Sequence, residues 1–208
     1  MALPLALRNR LADLVLDGLH DPTARRTLKA IAAVCAGRAD RDEEDALHDA
    51  DPGALFERRD GRWRIKSGWR QHAAEMAERA ARASRALCGR PLDPPDASLG
   101  IALAAAGSLF DARLYFEVHE LLEPHWRDAT GESRDALQGL IQIAVGYQHL
   151  ANGNLAGARA LLDDGTTRTR GRSVAGIDCD AFARAARATI ARLTDGPTAP
   201  DFPRRRTS

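Results

Sequence analysis

Between Ser133 and Ala151 the chain carries Leu137, Leu140, Ile141, Ile143, Ala144, Val145, Tyr147 and Leu150, spacings that leave a helix almost no polar side. A helix that is apolar all round is stable in water only when other elements surround it, so this segment must run through the middle of a domain. The segments on either side have the period of helices as well. The pattern predicts one helix over about 98–109, a second over 112–128 and a fourth over 155–163. Asp178 is placed to cap a final helix carrying Phe182, Ala186, Ile190 and Leu193, with Gly196 closing it. The fold class that follows is mainly α, with a bundle of antiparallel helical hairpins over 99–195. Residues 166–176 are expected to form a polar loop, and 196–208 a disordered tail.

The few polar residues of the central helix are grouped. At about 100° per residue, Gln138, Gln142 and His149 fall on one stripe. On the helix before it, Tyr115, Val118, Leu122 and Trp126 form the core stripe, with His119 among them and Glu123 one step round. Glu117 falls opposite and is expected in solvent, and Glu120 lies at the flank. An unpaired buried amide or imidazole costs about 1–3 kcal/mol, so the polar stripe needs partners. The short connection over 129–132 makes the two helices antiparallel neighbours. A shared cluster of His119, Glu123, Gln138, Gln142 and His149 is therefore expected. Pro124 cannot donate to the Glu120 carbonyl, so a kink or break is expected there.

Three chemistries suit that cluster. His119, Glu123 and His149, with Glu120 as a fourth ligand, offer nitrogen and oxygen donors to a divalent transition metal, with Gln138, Gln142, Tyr115 and Trp126 behind them. The same groups could close a purely structural hydrogen-bond network. They could also line a small-ligand or enzyme site, with His119 as general base and Glu123 setting its tautomer. No nucleophile stands out, so the reaction, and whether there is one, stays open.

The run "HELLEPHW", with His119, Glu123 and Trp126 in an H-x-x-x-E-x-x-W pattern, resembles the bacterial and archaeal family called domain of unknown function 309. "LFDARLYFEVHELLEPHW" and "LQGLIQIAVGYQHLANGNLAGARALL" follow that family's order: a leading Phe, the His-Glu helix, the Gly-Leu helix and a Gly-Asn turn. The resemblance spans roughly residues 100–165. It implies an all-α helical-hairpin domain whose His and Glu have been suggested to bind metal, and it implies no particular reaction.

Residues 1–90 lie outside the resemblance. Two helical patterns, the second opened by Asp21-Pro22, precede a short acidic helix, "DRDEEDALHDA", and a hairpin signal in which Asp60-Gly61 separates two strand-like runs. Trp69 to Leu87 then reads as one Ala-rich helix. This order resembles a winged helix in layout. A DNA-binding reading would use Arg62, Arg64 and Lys66 as a basic wing. The helix ahead of that wing holds Asp42, Glu43, Glu44, Asp45 and Asp49, which would repel phosphates, so nucleic acid is disfavoured as a partner. A module for protein contacts, or a purely structural appendage, is the better expectation for these residues, and for the protein as a whole a protein partner or a second copy of the chain. The Pro/Gly/Asp-rich stretch 91–98 is the expected linker.

Bulk properties narrow the field without choosing a function. The 208-residue chain is 44% hydrophobic and 28% charged, with a formal net charge of +1, so no global field draws it to nucleic acid or membrane. No apolar run approaches the roughly 18 residues of a membrane span. The N-terminal stretch shows no secretory pattern, which makes the cytoplasm the expected location. Cys35, Cys88 and Cys179 stand singly and exclude a disulfide framework or zinc ribbon.

Overall fold

The computed structural model of the protein describes residues 3–49 and 55–204. The chain divides between Pro95 and Asp96 into two units, within the stretch expected as a linker. The described residues are mainly helical, with nine α-helices and two small antiparallel hairpins. Among them, no helix is long and apolar enough to cross a membrane.

The first unit contains α1 (Leu5–Asp17), α2 (Pro22–Cys35), α3 (Arg41–Asp49), β1 (Phe56–Arg59), β2 (Arg62–Ile65) and α4 (Ala73–Leu87). Asp21 starts α2 as expected: its carboxylate accepts the Thr23 N–H at 2.7 Å, and Pro22 occupies the first turn, where a missing N–H costs nothing. Asp40 and Glu43 cap α3 reciprocally, each side chain accepting the other's backbone N–H, at 2.9 and 3.1 Å. Asp60 and Gly61, both at positive φ, turn the hairpin, which pairs Phe56 with Ile65 and Arg59 with Arg62. The Ala-rich helix starts later than its periodicity suggests, because residues Ser67–His72 wind as a tighter 3-10 turn before α4. Arg25 fastens the helix ends, donating to the carbonyls of Gly18, Leu87 and Arg90. Ala50 and Ala54, at the ends of the expected acidic helix and first strand, lie outside the described residues.

The second unit contains α5 (Leu99–Asp111), α6 (Tyr115–Asp128), α7 (Gly131–Ala151), α8 (Leu155–Thr169), β3 (Ser173–Val174), β4 (Ile177–Asp178) and α9 (Asp180–Ile190). The apolar helix is central, as its composition requires: α7 packs against both α6 and α8. Against α8 the approach is close enough to need glycine. A Cβ on Gly139 would stand 2.8 Å from the Gly165 carbonyl oxygen, and one on Gly165 would stand 2.8 Å from that of Gly139. Phe110 forms the hub of the aromatic core, with Tyr115, Tyr147, Phe182 and Phe202 at centroid distances of 5.1–5.6 Å.

Three expectations for this unit need correction. The start of the basic loop is helical, since α8 runs on to Thr169; the hydroxyls of Thr166, Thr167 and Thr169 bond back to carbonyls of their own helix, and Thr169 is buried. The rest of that loop makes the β3–β4 hairpin, turned by Ala175 and Gly176 at positive φ. The segment after Gly196, expected to be disordered, is anchored as far as Arg204. Phe202 is buried, its N–H donates to Asp111 at 3.2 Å, and Arg204 pairs with the same carboxylate. One aromatic side chain fixes a stretch too short to show any period.

Candidate functional site

The helix α6 begins three residues later than periodicity suggests. Arg113 takes a positive φ of 59°, ending α5, and Leu114 N–H reaches back to the Leu109 carbonyl at 2.9 Å. From there the helix is continuous through Pro124 to Asp128, so the expected break does not occur. Arg134 supports the far end of α6. Its guanidinium donates to the carbonyls of Trp126, Arg127 and Ala129 and lies over the Trp126 ring at 4.3 Å.

On α6 the structure brings together His119, Glu120 and Glu123, whose ligand atoms all lie within 4.8 Å of one another. The His119 ring stands between the two acids, with Nδ1 2.9 Å from Glu120 Oε1 and Nε2 4.0 Å from Glu123 Oε2. Its face stacks on Phe116 at 6.2 Å between centroids. The three side chains are 29%, 37% and 28% exposed, so the group forms a half-open surface reachable by solute. Glu123 is shared with Arg127, whose Nη2 donates to Oε1 at 2.7 Å. Glu120, expected at the flank, is therefore the acid that holds the imidazole, in place of Glu123.

The polar stripe of α7 does not join this group. His149 Nδ1 lies 2.8 Å from Asn154 Nδ2, and Asn154 Oδ1 accepts the Gly157 N–H at 2.9 Å, so His149 belongs to the cap that starts α8. That turn explains Gly157, where a Cβ would stand 2.7 Å from both His149 Nδ1 and Asn154 Nδ2. Gln142 donates to Asp164 on α8, while its Oε1 is buried without a partner. Gln138 is half-buried and bonds neither His119 nor Glu123. The expected five-residue cluster is thus divided: His119 and Glu123 meet on α6, while Gln142 and His149 turn to α8 and its cap. The reason is that a helix apolar nearly all round does not reveal which neighbour its polar residues meet. Tyr115 joins the Phe110 cluster, and Trp126 is half-buried with its indole N–H unpaired.

Glu117, expected in solvent, is fully buried. Helix α6 is covered by both α5 and α7, so the side opposite its main core stripe is also inside the unit. A helical wheel places the wet face opposite the core stripe, whereas here the half-open side of this turn is that of His119 and Glu120. The wing residues Arg62 and Arg64 are exposed on β2, Lys66 is half-buried, and the unit that holds them is separate from α6.

The sequence of α6 and α7 and the turn that follows can be compared with known families. A family model described as Domain of unknown function (DUF309) matches residues 103–161. The DUF309 segment runs from within α5, through all of α6 and α7, into α8, and so contains the His119 group, the Phe110 hub and the Asn154 cap. No curated protein and no solved structure matches the chain.

Proposed function

We propose that the DUF309 segment carries a site for a divalent first-row cation, built from His119, Glu120 and Glu123. The observation that carries this reading is the convergence of one imidazole and two carboxylates within 4.8 Å on a half-open helix face. Nitrogen and oxygen donors of this kind suit zinc, manganese or iron rather than soft cuprous copper. A first-row ion at about 2.0–2.2 Å from each ligand holds neighbouring ligand atoms about 3 Å apart, so the three side chains must draw inward, a movement within reach of their rotamers. With ligands from one helix only, the remaining positions would go to water or to a bound molecule. Such an ion would supply Lewis acidity to that molecule.

Metal analysis and calorimetry with zinc and manganese test this reading. Stoichiometric binding should be abolished by His119→Ala and left unchanged by His149→Ala. Arg127→Ala, which frees Glu123, should tighten it by about three- to tenfold. Protein that takes up neither ion and melts at the same temperature with and without them would sink the proposal.

A second reading is favoured by the double engagement of Glu123 with His119 and Arg127. In it the polar group only braces α6, and the chain is a non-enzymatic module that binds a protein partner. The order α1, α2, α3, β1, β2 in the first unit supports a winged-helix-like layout for such a module. The acidic first turn of α3, with Asp42, Glu43 and Glu44, weighs against DNA as that partner.

A further inference from the structure

The first unit contains a cavity of about 420 Å³ at the free edge of β2. Metabolite-binding pockets run from about 300 to 1,000 Å³, so the size suits a small molecule. Two kinds of surface line it. Val34 and Cys35 from the end of α2, Ala39 from the following loop, and Trp63 and Ile65 from β2 form apolar walls. Arg62, Arg64 and Arg70 are also among the lining residues, all three exposed and none ion-paired among the described residues. Against them stands one carboxylate, Glu44, already engaged by the Trp63 N–H at 2.8 Å.

The Trp63 wall packs against neighbouring side chains. The Trp63 ring lies 6.3 Å from the His48 ring and under the Arg58 guanidinium at 5.8 Å. Cys35 has its thiol pushed up to about 12 by burial, so it stays protonated near neutrality and acts as a small apolar wall rather than a nucleophile. Backbone register adds a donor. The Lys66 N–H bonds Leu55 across the hairpin while the Trp63 N–H turns out to Glu44, so by antiparallel alternation the Ile65 N–H points away from β1. Among the described residues no side chain takes that donor.

We propose that this cavity binds a small organic anion, a carboxylate or phosphate monoester on a planar apolar body, with the body against Val34, Cys35, Trp63 and Ile65 and the charged head held by Arg62, Arg64 and Arg70. Guanidinium forks match both head groups in geometry and charge. The apolar walls account for the body, which a bare anion lacks. The site is independent of the His119 group, so either proposal can fail alone.

The test is titration of the full chain with phenyl phosphate and with benzoate, followed by amide and indole NMR. Either probe should shift Val34, Gly37 and Trp63, and replacing Arg62 and Arg64 together by alanine should weaken binding about tenfold or more. Ala39→Leu, which fills the cavity and keeps the arginines, should weaken it as well. Arg159→Ala, an exposed change in the second unit, should have no effect. The proposal is overturned if neither probe shifts these residues up to about 10 mM, a Kd limit weaker than roughly 3 kcal/mol of binding. Equal binding by inorganic phosphate overturns the apolar-body assignment, and equal binding by benzylamine overturns the charge assignment. Duplex DNA that binds the same arginines and is not displaced by phenyl phosphate overturns it in favour of nucleic acid.

Discussion

The two units present local chemistry of opposite sign. In the second, an imidazole and two carboxylates meet on α6; in the first, Arg62, Arg64 and Arg70, without ion pairs among the described residues, are among the residues lining a cavity at the edge of β2. A formal net charge of +1 averages these to almost nothing. Net charge governs long-range attraction, whereas recognition is set within a Debye length of about 8–10 Å, where the two surfaces differ completely. Cations and anions should therefore sort between the units. They are also stabilised differently: the first is fastened by caps and the Arg25 clamp, the second by an aromatic hub and a glycine contact between helices.

The largest effect that would sharpen this contrast is at the hub. Phe110→Ala should destabilise the second unit by about 3–5 kcal/mol, since it leaves a cavity among four aromatic rings. Denaturant unfolding followed by residue-resolved NMR should show the first unit melting as before; equal loss in both would break the comparison. Next in size is Gly165→Ala. Its Cβ would meet the Gly139 carbonyl at 2.8 Å and the Ile143 nitrogen at 3.0 Å, both of them backbone, so α7 and α8 must separate at a cost of about 1–3 kcal/mol. An unchanged melting temperature would show the contact to be looser than drawn.

A smaller effect depends on pH. Burial pushes the Tyr147 hydroxyl from its ordinary 10.0 up to about 12, and the Cys179 thiol from 9.0 to about 11. In both cases the unfolded chain loses its proton first. The contribution of these groups to stability is whole below pH 9 and declines as pH rises through 9 to 12. Tyr147→Phe should cost about 1 kcal/mol near neutrality, because it strands the buried Thr189 hydroxyl, and should flatten the alkaline decline of the second unit. A decline of the same steepness in the variant would argue against this assignment.

The least effect on stability is expected from thiol labelling. Cys88 is exposed, whereas Cys35 is half-buried and Cys179 buried, and burial holds both protonated. Iodoacetamide near pH 8 should modify Cys88 first, one adduct per chain by mass, without loss of fold. Early modification of Cys35 would mean that the cavity wall opens.

Local signals were read well from the sequence because their physics is local. Asp21-Pro22 starts a helix and Asp60-Gly61 turns a hairpin whatever surrounds them. The all-apolar character of α7 announced a central position, and the α6 motif announced where polar chemistry gathers. What was not legible depends on which neighbour covers which face. His149 could be placed on a stripe of α7, yet only the position of α8 decides that it caps Asn154 and not the α6 site. A wheel with two sides places Glu117 in water, while α6 is covered by two neighbouring helices and Glu117 is buried. Arg62 and Arg64 stand out in the sequence as a basic wing, yet the cavity beside them does not, since its walls come from α2, the loop after it, α3 and β2 and meet only through long-range packing.

The anchorage of Phe202 bears on how the second unit is made. The Phe202 N–H bonds Asp111, 91 positions earlier, and the Phe202 ring closes one side of the Phe110 cluster. As the chain emerges during synthesis, α5 to α8 can assemble while that side of the cluster still faces water. That side of the cluster therefore stays without the cover of this ring until residue 202 has been made, so the closing of the aromatic core is a late event in synthesis.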